Sequence, residues 1–243
     1  MKQKVIFNVL AKDLENAKEI AEIGGDRVLI GVMVKGFKSE KAAIEQVELF
    51  QENGIPVSVG LGAGDPKMWK KVANVSAITM PDHINQVFPA AGYTLGRMEQ
   101  VDSQSTIVNA LIEPSGTVGK VYISTGPVSS GKKERVTCEM AAAMLAEIGV
   151  HSVKFYPIDG DSRLDEVTAM VKAAVGVGIK VFEPTGGIGL ENVYTIVRTC
   201  LDGGAEVVIP HLYSNLIHKG SGRTDVGMVK GLLRMEWKWG LHS

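Results

Sequence analysis

Short apolar runs alternate along the chain with longer stretches of helical spacing. The runs are Val5–Val9, Val28–Val32, Val57–Val59, Ala77–Met80, Ile107–Ile112, Val153–Tyr156, Lys180–Phe182 and Val207–Ile209. Most are too short for helices and rich in Val and Ile, as strands buried on both faces are. Between them Leu14–Ile23 puts Leu14, Ala17, Ile20 and Ala21 on one side, behind Asp13 as an N-cap. Ser39 caps the next stretch, and Pro66 after Asp65 marks another helix start. Arg135–Ile148, Leu164–Val175, Leu190–Leu201 and Val226–Trp237 continue the series, and Gly24, Gly54, Gly149 and Gly203 punctuate helix ends.

Eight strand candidates in 243 residues, each followed by a helix-like segment, predict a single-domain (β/α)8 TIM barrel over residues 1–243. An open doubly wound sheet is the alternative that the pattern alone leaves standing. The alternation breaks over Gly92–Lys133. There Ile107–Ile112 and Lys120–Ile123 flank a glycine turn and predict a hairpin, so the region reads as an elaborated fifth βα loop. Within it, Ser124–Lys132 reads as a lid or a subunit contact. Trp237, Trp239 and Leu241 suit either a subunit contact or a barrel-closing helix.

Composition narrows the class. With 45% hydrophobic and 22% charged residues the chain is globular rather than disordered. Lys+Arg of 26 against Asp+Glu of 27 leaves no global basic surface for nucleic acid or an anionic membrane, while a local site for one small anion stays open. No apolar run reaches the roughly 18 residues of a membrane span, and Lys12-Asp13 comes too early for a signal peptide, so a cytoplasmic location is expected. Cys138 and Cys200 lie in helical stretches and read as buried structural thiols.

In a barrel, function gathers where strands end: Asn8, Val34-Lys35, Gly60–Gly62, Pro81-Asp82-His83, Glu113, Lys154, Glu183–Gly187 and His211. Lys154 interrupts the apolar sixth run. Facing inward, it would be desolvated, its pKa lowered and its free amine able to attack a carbonyl; facing outward, it would be an ordinary surface lysine. Pro184-Thr185-Gly186-Gly187-Ile188 leads toward a helix, so backbone N–H groups there suit phosphate, although a tight turn uses Gly-Gly equally well. Gly60-x-Gly62-x-Gly64 lacks the spacing of a dinucleotide fingerprint and reads as a tight loop.

Lys154-Phe155-Tyr156-Pro157 resembles the K-F-F-P motif of 2-keto-3-deoxy-6-phosphogluconate aldolases, and Pro184–Ile188 resembles their P-T-G-G-I motif, in the same order and at a similar separation. Fainter similarity runs through Arg27–Leu29 and Val59–Gly64. The whole chain resembles most a divergent branch associated with D-glucosaminate breakdown, which has a longer fifth loop. The resemblance implies a class I aldolase with no cofactor and no metal. It would cleave 2-dehydro-3-deoxy-6-phosphogluconate to pyruvate and glyceraldehyde 3-phosphate through an imine on Lys154. By the same resemblance Gly186 and Gly187 bind phosphate, Thr185 lines the pocket and Phe155 packs beside the imine. The partner is a small phosphorylated keto acid, in a homo-oligomer.

One departure matters. The better-known branch carries a glutamate and an arginine on its second strand, whereas Ile30–Lys35 offers only Lys35 for the cationic role. The acid/base is therefore sought at other strand ends: Glu183 and Glu113 first, then Asp82, His83 and His211. Asp82 has a capping role as its alternative, and Glu113 and Glu183 an ion-pairing one. Asp159 and Asp161 read as loop or capping residues. Gly60 is assigned to the pyruvate end, His211 to substrate, and Arg223 to a second phosphate contact. Two other readings keep the barrel: a phosphate-binding isomerase or synthase in which Lys154 is only an electrostatic contact, and a non-catalytic sugar-phosphate sensor.

Overall fold

The computed structural model describes residues 4–103 and 105–235. Eight strands form a closed ring. They are β1 (Lys4–Val5 and Phe7–Leu10), β2 (Val28–Met33), β3 (Val57–Gly60), β4 (His83–Ile84), β5 (Ile107–Pro114), β6 (Ser152–Phe155), β7 (Val181–Pro184) and β8 (Val207–Val208 and His211–Leu212). Neighbours in sequence pair in parallel, and β8 closes the ring on β1 through Lys4↔Val207 and His211↔Asn8. An open sheet is thereby excluded.

Helices α1 (Leu14–Gly24), α2 (Glu40–Glu52), α3 (Trp69–Thr79), α4 (Ala91–Gln100), α5 (Cys138–Ile148), α6 (Leu164–Gly176), α7 (Val193–Asp202) and α8 (Val226–Arg234) follow the strands. Several start on caps written in the sequence. Asp13, Ser39, Thr137 and Asp225 each accept a backbone N–H of the first turn, meeting a donor that the helix itself leaves unpaired.

Three expectations shift. Ala77–Met80 is not a strand; it ends α3, with Met80 in the left-handed region at φ 46°. The fourth strand is only His83–Ile84, too short for an apolar run to announce it. Helix α4 occupies part of the stretch expected to be irregular, because Gly92 and Gly96 blur its periodicity. Trp237, Trp239 and Leu241 lie outside the described residues.

The expected hairpin is present. The end of β5 runs beyond the barrel and pairs antiparallel with Lys120–Tyr122, which pairs in turn with Val136–Thr137. Thr125 anchors this excursion by taking the Phe88 N–H at 2.9 Å and donating to the Leu111 carbonyl at 3.1 Å.

Alternation along each strand divides the core in two. Phe7, Phe155 and Phe182 are fully buried, and their neighbours Asn8, Lys154 and Glu183 take the opposite face of the same strands. The rings of Phe155 and Phe182 lie 6.0 Å apart, on the face that the barrel turns to its helices. The resemblance put Phe155 beside the imine; its strand parity turns it away from Lys154 and makes it a packing residue. Phe155→Ala is therefore expected to lower folding stability by about 3–5 kcal/mol. The check is the denaturant midpoint at unchanged slope.

Candidate active site

The interior toward the ends of the strands is polar. Asn8, Ser58, Asn109 and Glu183 come from β1, β3, β5 and β7 and have no solvent exposure. Four inward residues from alternate strands form one layer of a barrel, a position that branched apolar side chains usually fill. His83 and Ser152, equally buried, contribute from β4 and β6.

Glu183 is the centre of this network. Its Oε1 accepts from His83 Nε2 at 2.9 Å and from the Ser152 hydroxyl. Its Oε2 accepts from Asn109 Nδ2 at 2.7 Å and from His211 Nε2 at 2.9 Å. Burial alone would raise its pKa, but the two imidazoles and their hydrogen bonds hold it well below the usual carboxylate range.

The direction of each hydrogen bond follows from obligate donors. The Gln86 backbone N–H donates to Asn109 Oδ1 at 3.0 Å, which leaves Asn109 Nδ2 to donate to Glu183 and, at 3.0 Å, to Asn85 Oδ1. Asn85 Nδ2 then donates to Ser58 Oγ at 3.0 Å, as Asn8 Nδ2 does at 2.8 Å. With both acceptor positions filled, the Ser58 hydroxyl donates to His83 Nδ1 at 2.8 Å. Both histidines thus carry their proton on Nε2, facing a carboxylate that can only accept.

Lys154 stands on β6 above this layer. Its Nζ donates to Asn85 Oδ1 at 2.9 Å and lies 3.3 Å from His211 Nδ1, which also meets the Tyr213 hydroxyl at 3.1 Å. Desolvation lowers the lysine pKa to about 8, against an opposing pull from Glu183. Desolvation, helped by the Lys154 charge, lowers His211 to about 3, so its ring is neutral at working pH. Burial raises the Tyr213 phenol, with the Glu183 charge adding to it.

A cavity of about 330 Å³ opens over these groups. Leu10, Met33 and the Gly60–Gly64 loop form one wall; Thr185–Ile188 and Tyr213–Asn215 form another, with Lys154 and His211 at the base. Among the described residues, Lys154 is the only cation lining it. Gly60 lines the cavity beside the end of the flexible Met33 side chain, which a Cβ there would approach to 2.7 Å.

Of the residues singled out from the sequence, Lys154, Gly60, Thr185, Gly186, Gly187 and His211 gather at the cavity. Glu183 lies beneath it, sealed from solvent. Asn8 and His83 are buried in the same layer, and the remaining charged candidates are elsewhere. Glu113 is on the excursion, ion-paired to Lys133. Lys35 is tied to Asp65 at 2.9 Å on the rim. Arg223 is held by Glu19 at 2.8 Å, with Glu15 and Asp13 nearby, against α1. Asp82 accepts the Val57 N–H at 2.8 Å, and Asp159 pairs with Arg163. Cys138 and Cys200 are both buried, and burial pushes the Cys138 thiol up to about 11.

The glycine turn also differs in detail. Helix α7 begins only at Val193, so Gly186 and Gly187 are not its first turn. Asn192 ties the intervening loop by donating to the Gly187 carbonyl and accepting from the Gly189 N–H, both at 2.9 Å. Gly187 has φ 69°, and a Cβ there would meet the Gly160 backbone nitrogen at 2.6 Å. A side chain at this position would disrupt loop packing before it touched a ligand.

Sequence reasoning missed Asn85, Asn109, Ser58, Ser152 and Tyr213. Asn8 was named as a strand-end position, and Ser58 and Asn109 left a trace as polar residues inside apolar runs.

His83, Glu183 and His211 also have metal-ligating chemistry, with ligand atoms within 4.8 Å of one another. In this structure they are joined instead by hydrogen bonds from the two imidazole Nε2 atoms to the Glu183 carboxylate, with Asn109 and Ser152 on its remaining acceptor positions.

No helix among the described residues is long and apolar enough to cross a membrane. The fold resembles KGPDC of Streptococcus mutans, with a TM-score of 0.58 at 14% identity over 95% of this chain and 96% of that one. It also resembles the carboxyl transferase domain of Rhizobium etli pyruvate carboxylase, solved with pyruvate, with a TM-score of 0.57 at 12% identity over 95% of this chain. This chain covers 46% of that one. At such identities the likeness is one of fold. Sequence similarity reaches further. A 2-dehydro-3-deoxy-phosphogluconate aldolase of Salmonella typhimurium is 41% identical over 224 residues, covering 92% of this chain and 91% of that protein. The profile of the KDGP aldolase family matches residues 1–220. The chain belongs to the KDGP aldolase family, and it is an aldolase, a carbon–carbon lyase.

Proposed function

We propose that this aldolase works through an imine on Lys154 and cleaves 2-dehydro-3-deoxy-6-phosphogluconate to pyruvate and glyceraldehyde 3-phosphate. The observation that carries this reading is a desolvated amine, with its pKa lowered to about 8, at the base of a cavity with no other cation. The name of the Salmonella relative supports the substrate. The reading favours a lyase over the isomerase, synthase and sensor alternatives.

The roles follow from position. The Lys154 amine condenses with the C2 carbonyl. As the C4 hydroxyl gives up its proton and C3–C4 breaks, the protonated imine accepts the released electron pair, leaving the aldehyde and an enamine that is protonated at C3 and hydrolysed to pyruvate and free Lys154. The Gly60–Gly64 loop faces the pyruvate part. Thr185, Gly186 and Gly187 face the phosphate end, together with Ser214. Asn215 holds that wall in place by donating to the Ile188 carbonyl at 3.0 Å. A 330 Å³ cavity is of the size that encloses a small ligand. The excursion end of β5 and the cation at Arg223 take no part. The setting we infer is cytoplasmic, with the subunits assembled as a homo-oligomer.

Three outcomes are expected. Lys154→Ala folds and loses cleavage to background, and borohydride with pyruvate adds mass to the Lys154 peptide of the unsubstituted enzyme. An adduct on Lys35 or Lys180 instead would move the active site. The rate of trapping rises with pH through about 8 and levels above it, because the ammonium form below that pH cannot attack; an unperturbed lysine would place the rise at about 10.4. Steady-state kinetics of Ser214→Ala show a larger rise in KM for the phosphorylated acid than for its dephosphorylated analogue. Equal effects on both would take the phosphate away from this wall.

A further inference from the structure

We propose that His211 carries the proton during imine formation, moving it between the nitrogen and the departing oxygen of the Lys154 adduct, and that Glu183 is a positioning residue that fixes the imidazole for this task. The proposal rests on Lys154 as the imine-forming lysine.

The geometry is directional. Glu183 Oε2 can only accept, so the 2.9 Å contact puts the ring proton on His211 Nε2. Nδ1 is left as a lone pair, 3.3 Å from Lys154 Nζ and in the wall of the cavity. Glu183 has no solvent exposure and cannot meet substrate, so it acts through the ring. The carboxylate itself is immobilised by His83, Asn109 and Ser152, which leaves it one orientation. Four titratable groups face His211: Glu183 from β7, Lys154 from β6, Tyr213 just beyond its own strand, and His83 from β4 at 6.1 Å between ring centres.

The steps balance. Lys154 first releases one proton to solvent. The free amine attacks C2, the C–N bond forms and the carbonyl π pair moves onto oxygen. His211 Nδ1 takes one proton from the nitrogen, and the resulting imidazolium, its charge countered by Glu183, returns that proton to the oxygen. The nitrogen lone pair then expels the hydroxyl, which leaves as water after receiving, through the same Nδ1, a proton regained from solvent. The sum is ammonium plus ketone giving protonated imine plus water. A buried carboxylate that holds an imidazole in one tautomer and stabilises its transient charge is a known device of acid–base catalysis.

The test separates this proposal from the Lys154 reading. Wild-type enzyme is first trapped with pyruvate and borohydride; no adduct on Lys154 would defeat that reading, whatever His211 does. Given the adduct, His211→Gln keeps an amide donor toward Glu183 but lacks the basic Nδ1. Its single-turnover trapping at pH 7 should slow by about 10²-fold or more, with the adduct still on Lys154. Trapping at the wild-type rate in a folded variant would overturn the proposal. Glu183→Gln should lower kcat with little change in KM. ¹⁵N-histidine NMR, which needs no variant, should show His211 of the wild-type enzyme as the neutral Nε2–H tautomer. In Glu183→Gln that signature should be lost. An Nδ1–H tautomer or an imidazolium in the wild-type enzyme at neutral pH would overturn the proposal even if the variants failed to fold.

Discussion

Burying a carboxylate at the centre of a barrel costs several kcal/mol unless its lone pairs are satisfied, and most of the polar interior of this protein follows from that constraint. Glu183 takes hydrogen bonds from His83, Asn109, Ser152 and His211, donors supplied by β4, β5, β6 and β8. Each donor then needs a partner for its other end. Asn109 is held by the Gln86 backbone, His83 by Ser58, and Ser58 by Asn8 and Asn85. The requirement propagates until nearly every strand has given up an inward apolar position. Such a network is stable only when complete, so its members stand or fall together.

The fold was largely legible because burial on both faces writes continuous Val and Ile runs into parallel strands, and caps such as Asp13 and Ser39 write helix starts. It failed where those signals weaken. A two-residue strand at His83–Ile84 has no room for a pattern, while the apolar tail of α3 imitates one. The glycines of α4 remove its periodicity without preventing a helix that packs against β5.

The site was legible in part, for a different reason. A charge inside an apolar run signals an inward charged group, and it found Lys154; Glu183 was found as the carboxylate that ends the seventh run. Neither signal could distinguish a group facing the cavity from one facing other strands, since that depends on residues far away in sequence. Asn85 carries no local signal, because an asparagine beside a two-residue strand is unremarkable until its register is known, and Asn109 carries only the weak one of a polar residue inside the run Ile107–Ile112. Glu113, Lys35 and Arg223 misled for the converse reason. Each ends near a strand or loop terminus but has an oppositely charged neighbour on an exposed segment, and a flexible charged side chain at a rim turns to that neighbour and to water.

The separation between the two central charges sets the chemistry. Lys154 and Glu183 are register partners on adjacent strands. A direct ion pair in so dry a place would hold the lysine as ammonium and leave it no lone pair for attack. The carboxylate is instead occupied by four donors, and the amine is turned to Asn85 and His211. Glu183 therefore reaches Lys154 through an intervening imidazole and an amide chain, near enough to offset part of the desolvation and too far to saturate the amine. Burial and this residual attraction together bring the lysine to about 8, within reach of neutral pH. Replacing the interposed side chains with apolar ones would leave two unscreened charges with only each other as partners. The asparagines and histidines of the barrel thus give the buried amine hydrogen-bond partners without fixing it as an ammonium, and leave it free to react.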